Sequence, residues 1–186
     1  MKLTGKKLLL LLLMQSYSDS GSLPIAGRTR LMKMVFLFEK ELWPEIKKER
    51  PSDEFVLPEF FAWKYGPFSS ELLDDLEFLV NRDFVCVQKG SRVINEELEE
   101  YEYWLDSGQN ESSEYVGEEF SLTGKGDEKA KEVWDALSDS QKALIKDFRE
   151  VLAKASLSKI LEYVYKKYEK EGFTGRSLIR DRYLKS

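Results

Sequence analysis

The chain has 186 residues, 42% apolar, 34% charged and 13% aromatic, with a formal net charge of −5. That is the balance of a soluble globular protein with enough apolar mass for a core. Histidine is absent and Cys86 is the only cysteine, which excludes an intrachain disulfide and removes the commonest general base and metal ligand.

The charge is uneven: residues 1–50 sum to +5, residues 51–120 to −14 and residues 121–186 to +4. Lys6-Lys7 ahead of Leu8 to Met14 has the outline of a signal peptide. The apolar run is too short to span a bilayer, and no small-x-small cleavage site follows in Gln15-Ser16-Tyr17-Ser18. A Leu-rich helix from about Thr4 to Tyr17, buried on most sides, is expected instead, in a cytoplasmic protein with no membrane partner.

A break at Ser18 to Pro24 precedes a second helix opened by Arg28. Leu31, Met34, Val35 and Phe38 form its apolar stripe, which leaves Arg30, Lys33 and Lys40 expected in water. Trp43-Pro44 ends or kinks that helix, and Pro51 to Pro58 reads as loop. Phe60 to Tyr65 is aromatic and β-prone, a short strand. Gly66-Pro67 then forces a turn, with Pro67 suited to the first turn of the next helix. Ser69 or Ser70 caps that helix and Glu71 complements its positive end. Phe68, Leu72, Leu73, Leu76, Leu79 and Val80 fall on one face, with the helix running to about Arg82. Cys86, in the apolar run Phe84-Val85-Cys86-Val87, reads as a small buried hydrophobe.

Phe84–Gln88 and Glu119–Leu122 read as strands flanking a long insertion, residues 91–117. The insertion interleaves Glu97, Glu99 and Glu100 with Tyr101, Tyr103 and Trp104. From Gly126 the chain is helical through Ala130, Val133, Trp134 and Leu137. Ser138-Asp139-Ser140-Gln141 is a capping box opening a helix that buries Leu144, Phe148, Val151 and Leu152. Ser156 caps the next, with Ile160, Leu161, Val164, Tyr165 and Tyr168 on one face and Gly172 as its stop. A short basic helix closes the chain between Thr174 and Tyr183.

This order predicts an α+β, mostly helical fold: a winged helix-turn-helix core with a small antiparallel wing and an added C-terminal helical hairpin. Residues 1–137 would form the winged-helix domain, with the acidic wing at 91–117. Residues 138–186 would be a C-terminal extension packed on it.

Gly27 to Phe36, Tyr65-Gly66-Pro67-Phe68-Ser69, Phe120-Ser121-Leu122-Thr123 with Gly126, and Leu161-Glu162-Tyr163-Val164-Tyr165 with Tyr168 resemble the YwgA-like family. That is a family of uncharacterised winged-helix proteins of bacteria and archaea. More distantly, the chain is similar to the Panacea domain of toxin–antitoxin systems, which has its own Tyr-Gly-Pro turn. The resemblance implies a fold and supplies no catalytic residues.

No cofactor motif is complete. Gly124-Lys125-Gly126 lacks both the preceding glycine spacing of a phosphate loop and the Ser or Thr after lysine. The run Glu71, Asp74, Asp75, Glu77 reads as the wet face of a helix rather than a metal site. The same carboxylates sit where a winged helix normally offers cations to DNA. The expected function is therefore non-enzymatic. A protein partner, or a second copy, would be bound through an acidic and aromatic surface of Glu71, Asp74, Asp75, Glu97, Glu99, Glu100, Tyr101, Tyr103 and Trp104. The alternative is a DNA-binding regulator using Arg28, Arg30, Lys33, Lys166, Lys167, Lys170, Arg176 and Arg180.

Overall fold

A computed structural model describes residues 2–14, 25–49, 53–89 and 118–184, with backbone only for Lys89 and Arg182. The wing at 91–117, and with it Glu97, Glu99, Glu100, Tyr101, Tyr103 and Trp104, lies outside the described residues.

The fold is α+β and mostly helical. Strand β1 (Lys2–Thr4) leads into α1 (Gly5–Leu13), and β2 (Ile25–Ala26) into α2 (Arg28–Leu37). A π-helical turn (Phe38–Leu42) joins α2 to α3 (Trp43–Glu49). Then come β3 (Glu54–Val56), β4 (Phe61–Trp63), β5 (Gly66–Phe68), α4 (Ser70–Asn81), β6 (Val85–Lys89) and β7 (Glu118–Leu122). Helices α5 (Gly124–Asp135), α6 (Asp139–Lys154) and α7 (Leu157–Tyr168), a 3-10 turn (Glu169–Glu171) and α8 (Arg180–Leu184) complete the described chain.

Three small sheets form among the described residues. β2, β7 and β6 make an antiparallel sheet in the order β2-β7-β6, with Ile25 opposite Phe120 and Val85 opposite Leu122. β4 and β5 form a hairpin. β1 runs parallel to β3, Leu3 opposite Phe55. The segment 51–58 is thus not all loop, and β1 and β2 were not expected. Strands of two or three residues carry too little periodicity to be read locally; distant partners create them.

Helix α1 is the centre of the core. Thr4 caps its start, accepting from Lys7 N–H. Leu8 to Leu13 are all buried, because α2, α4, α5 and β7 surround them. The helix stops at Leu13, short of the expected Tyr17, with Met14 extended. Its end is held by Arg149 of α6, whose Nε donates to Leu12 O at 2.8 Å. That cation satisfies an orphan carbonyl at the negative end of the helix. Arg30 does the same for α6, donating to Leu152 O at 2.8 Å and Ala155 O at 2.6 Å.

The π-helical turn has a local cause. Pro44 has no N–H and cannot continue an α-helical ladder. Trp43 N–H donates five residues back to Phe38 O, absorbing the mismatch before α3 begins. Further along, the expected capping box is present: Ser138 Oγ accepts from Gln141 N–H, and Gln141 Oε1 from Ser138 N–H. Gln141 Nε2 also donates to buried Asp53 at 3.1 Å. The apolar face of α6 is rotated from the expected one: Ile145 is buried, while Val151 is 65% exposed. Cys86 is half-buried rather than a core residue, opposite Ser121. Ile160, Leu161, Val164, Tyr165 and Tyr168 of α7 are buried as their spacing predicts. No helix among the described residues is long and apolar enough to cross a membrane.

Candidate docking surface on the aromatic hairpin

The run Phe60-Phe61-Ala62-Trp63 alternates faces, as a strand must. Phe60 turns inward and packs edge-on to Phe36 at 5.3 Å. Phe61 and Trp63 turn outward and stay 42% and 41% exposed. Phe68, on the facing strand, joins them, its ring centroid 5.5 Å from Phe61 and 6.2 Å from Trp63. The three rings form one cluster on the hairpin, with Phe61 and Trp63 exposed and Phe68 half-buried.

The hairpin is held from beneath. Gly66 has φ +84°, and a Cβ there would meet the Tyr165 ring at 3.2 Å. Only glycine suits both the dihedral and the close approach. Pro67 lies in β5, not in the first turn of α4 as its sequence suggested. β5 pairs on one side only, so a residue without an N–H is tolerated there. Ser69 is the cap of α4, its side chain accepting from Leu72 N–H. Its own N–H donates to Met32 Sδ at 3.3 Å. At the turn, Lys64 O accepts from Leu178 N–H at 2.9 Å and from Ser177 Oγ at 3.1 Å.

Lys33 overturns its sequence reading. It is 2% exposed, and its Nζ donates to Pro67 O at 2.8 Å. Burial pulls its amine down to about 7 from the usual 10.5. The signal was available: Lys33 sits in Leu31 to Phe38, where every other residue is apolar, too wide a stripe for a half-wet helix.

Carboxylates border the rings. Glu59, two residues before Phe61, is exposed, and its N–H donates to the exposed Glu71 carboxylate at 3.1 Å. Asp74 and Glu77 extend this exposed acidic side of α4. Asp75 does not belong with them. It is half-buried, salt-bridged to Lys6 and packed against Gly5, so it joins α4 to α1 rather than facing solvent.

The basic residues divide. Arg28 bridges Glu118 at 2.8 Å, and Arg30 and Lys33 are committed to backbone carbonyls. Two of the three N-terminal cations expected to meet phosphate thus hold the fold together, because each is the available donor for carbonyls inside it. On α7, Lys166 pairs with Glu162, and Lys167 with Glu41 and Tyr163. Arg180 pairs with Glu169, while Lys170 and Arg176 are exposed. Glu41 also accepts from Tyr168 at 2.8 Å, and burial together with Glu41 pushes the Tyr168 phenol well above its usual range. The π-helical turn carries Glu41, which accepts from both Tyr163 and Tyr168 of α7.

Sequence reasoning missed Phe61, Trp63 and Phe68 as a surface. The period-two spacing of Phe61 and Trp63 was the signal that could have found it. No protein-family model matches the chain, and no curated protein matches it.

Proposed function

We propose that the chain is a non-enzymatic winged-helix interaction protein that binds a basic, partly apolar protein partner through the aromatic hairpin and the acidic side of α4. The winged-helix reading is supported by the sheet order β2-β7-β6. The strand ahead of α2 pairs with the last strand, and that strand pairs with the one leaving α4. In this reading α4 occupies the place of the recognition helix, and β6 and β7 are the wing strands. The resemblance to the YwgA-like and Panacea proteins points the same way and suggests a regulatory or toxin–antitoxin setting.

The observation that carries the binding reading is the pair of exposed rings, Phe61 and Trp63, in edge-on and tilted contact with Phe68, on a strand led by exposed Glu59, which bonds exposed Glu71 of α4. Aromatic anchors with a charged rim are the composition of an interface centre. A duplex would be repelled by the same carboxylates. The test is site-specific photocrosslinking in a native extract, with the crosslinker at Phe61 and, as control, at Val151. A discrete crosslinked protein from position 61 alone, weakened in Glu71→Gln/Asp74→Asn, is expected. A low-salt gel shift lost on neutralising Lys166, Lys167, Lys170 and Arg176, with no crosslink at 61, would replace this reading with the DNA-binding one.

A further inference from the structure

Past α7 the chain returns to the hairpin. Leu178 N–H donates to Lys64 O at 2.9 Å, and Ser177 Oγ to the same oxygen at 3.1 Å. Ser177 Oγ also meets the Tyr165 hydroxyl, and Tyr183 packs on the Tyr165 ring at 5.3 Å. Thr174 before this point and Tyr183 after it are buried. The segment between them is therefore anchored at both ends and in the middle. Yet the Leu178 side chain is 70% exposed, the most of any large apolar side chain among the described residues. A leucine fixed by its own backbone and left in water loses little further freedom when something covers it. Its neighbours are basic. Residues 174–180 contain Arg176 and Arg180 and no acid. Arg180 bridges Glu169, whereas Arg176 is exposed and makes no ion pair among the described residues.

We infer that the partner of the aromatic hairpin is a second copy of this chain. Leu178 of one protomer seats on Phe61 and Trp63 of its partner, and Arg176 faces the carboxylates beside those rings. The inference rests on the docking reading and names its occupant. That surface calls for something basic and partly apolar, and Arg176-Ser177-Leu178-Ile179-Arg180 is such a segment, already ordered and presented. The charges are opposite: Glu59, Glu71, Asp74 and Glu77 are exposed on one surface and Arg176 on the other. The two surfaces are also adjacent, since Leu178 is one hydrogen bond from Lys64, the residue after Trp63. Adjacency matters for symmetry. A two-fold axis between neighbouring complementary patches lets both contacts form twice in one closed interface. The same patches on opposite sides of a molecule would give an open row of subunits instead.

The test uses the purified full-length protein at low salt. An aromatic photocrosslinker replaces Phe61, and equal amounts of ordinary and heavy-isotope-labelled chains are mixed before irradiation. Position 61 is expected to join the peptide containing Leu178, with mixed light–heavy products that only two chains can give. Sedimentation equilibrium should show a monomer–dimer equilibrium that weakens as salt is added. Leu178→Ser should raise the dimer dissociation constant about tenfold, and Arg176→Ala should raise it several-fold, with the thermal midpoint of the dilute monomer unchanged in both. A protein that stays monomeric at millimolar concentration, a crosslink confined to one chain, or a dimer indifferent to Leu178→Ser would overturn the inference. Capture of a different protein by position 61 in the native extract, with no self-crosslink in the purified sample, would overturn it and leave the docking reading standing. No crosslink in either setting would remove both.

Discussion

Lys33 Nζ and Pro67 O, 34 residues apart in the chain, meet at 2.8 Å inside the protein. The contact ties the core helix α2 to the hairpin that carries the exposed rings. It also places an ionisable amine where water does not reach.

That burial sets a pH dependence. The folded amine titrates near 7, below the unfolded 10.5, so between those values the unfolded chain holds more protons and stability rises with pH. Below about 7 both states are charged and the full desolvation cost is present. Lys33→Met should therefore be more stable than wild type at pH 6.5. The gap should shrink by on the order of 1 kcal/mol per pH unit as pH climbs toward 10. Urea melts at pH 6.5, 8 and 9.5 measure it, and parallel curves for the two proteins would refute the burial.

Arg149→Met should cost about 1–3 kcal/mol, because the Leu12 carbonyl loses a charged donor at a buried helix end. Arg149→Lys should recover only part of this, since one ammonium cannot reproduce the guanidinium fork. The readout is the denaturant midpoint at constant m-value.

Gly126→Ala should be the most damaging single methyl addition. The new Cβ would lie 2.0 Å from Phe84 O, a backbone atom that itself accepts from Thr123 N–H at 3.1 Å. Neither can move without opening the junction between β6 and α5. A loss of about 3 kcal/mol or more in a chemical melt is expected, and a change below 1 kcal/mol would show that junction to be loose.

Ser138→Ala removes half of the capping box at α6 and should cost about 1 kcal/mol. Gln141→Ala should cost more, because the same side chain also serves Asp53 at 3.1 Å. Equal effects from the two substitutions would mean that the Asp53 contact adds nothing.

Phe61→Ser with Trp63→Ser should behave oppositely to these. Both side chains are about two-fifths exposed, so the stability loss should stay near 1 kcal/mol, whereas the crosslinked partner should disappear. A large drop in thermal stability would make the rings structural rather than a docking surface.

Local chemistry alone determined much of this protein. The capping residues Ser69, Ser138 and Ser156, the α4 and α7 faces, and the pairing segments around Val85 and Phe120 follow from residues within a few positions of each other, and the structure places them so. The tertiary structure alone decided the rest. β1, β2 and β3 exist because distant backbone completes their hydrogen bonds. Lys33 and Arg149 are buried and Arg30 half-buried because carbonyls at Pro67, Leu12 and Leu152 take them as donors. Asp75 turns from solvent because Lys6 of another helix faces it. Whether a charged side chain is wet or buried depends on a partner remote in sequence, and helical period cannot encode that partner.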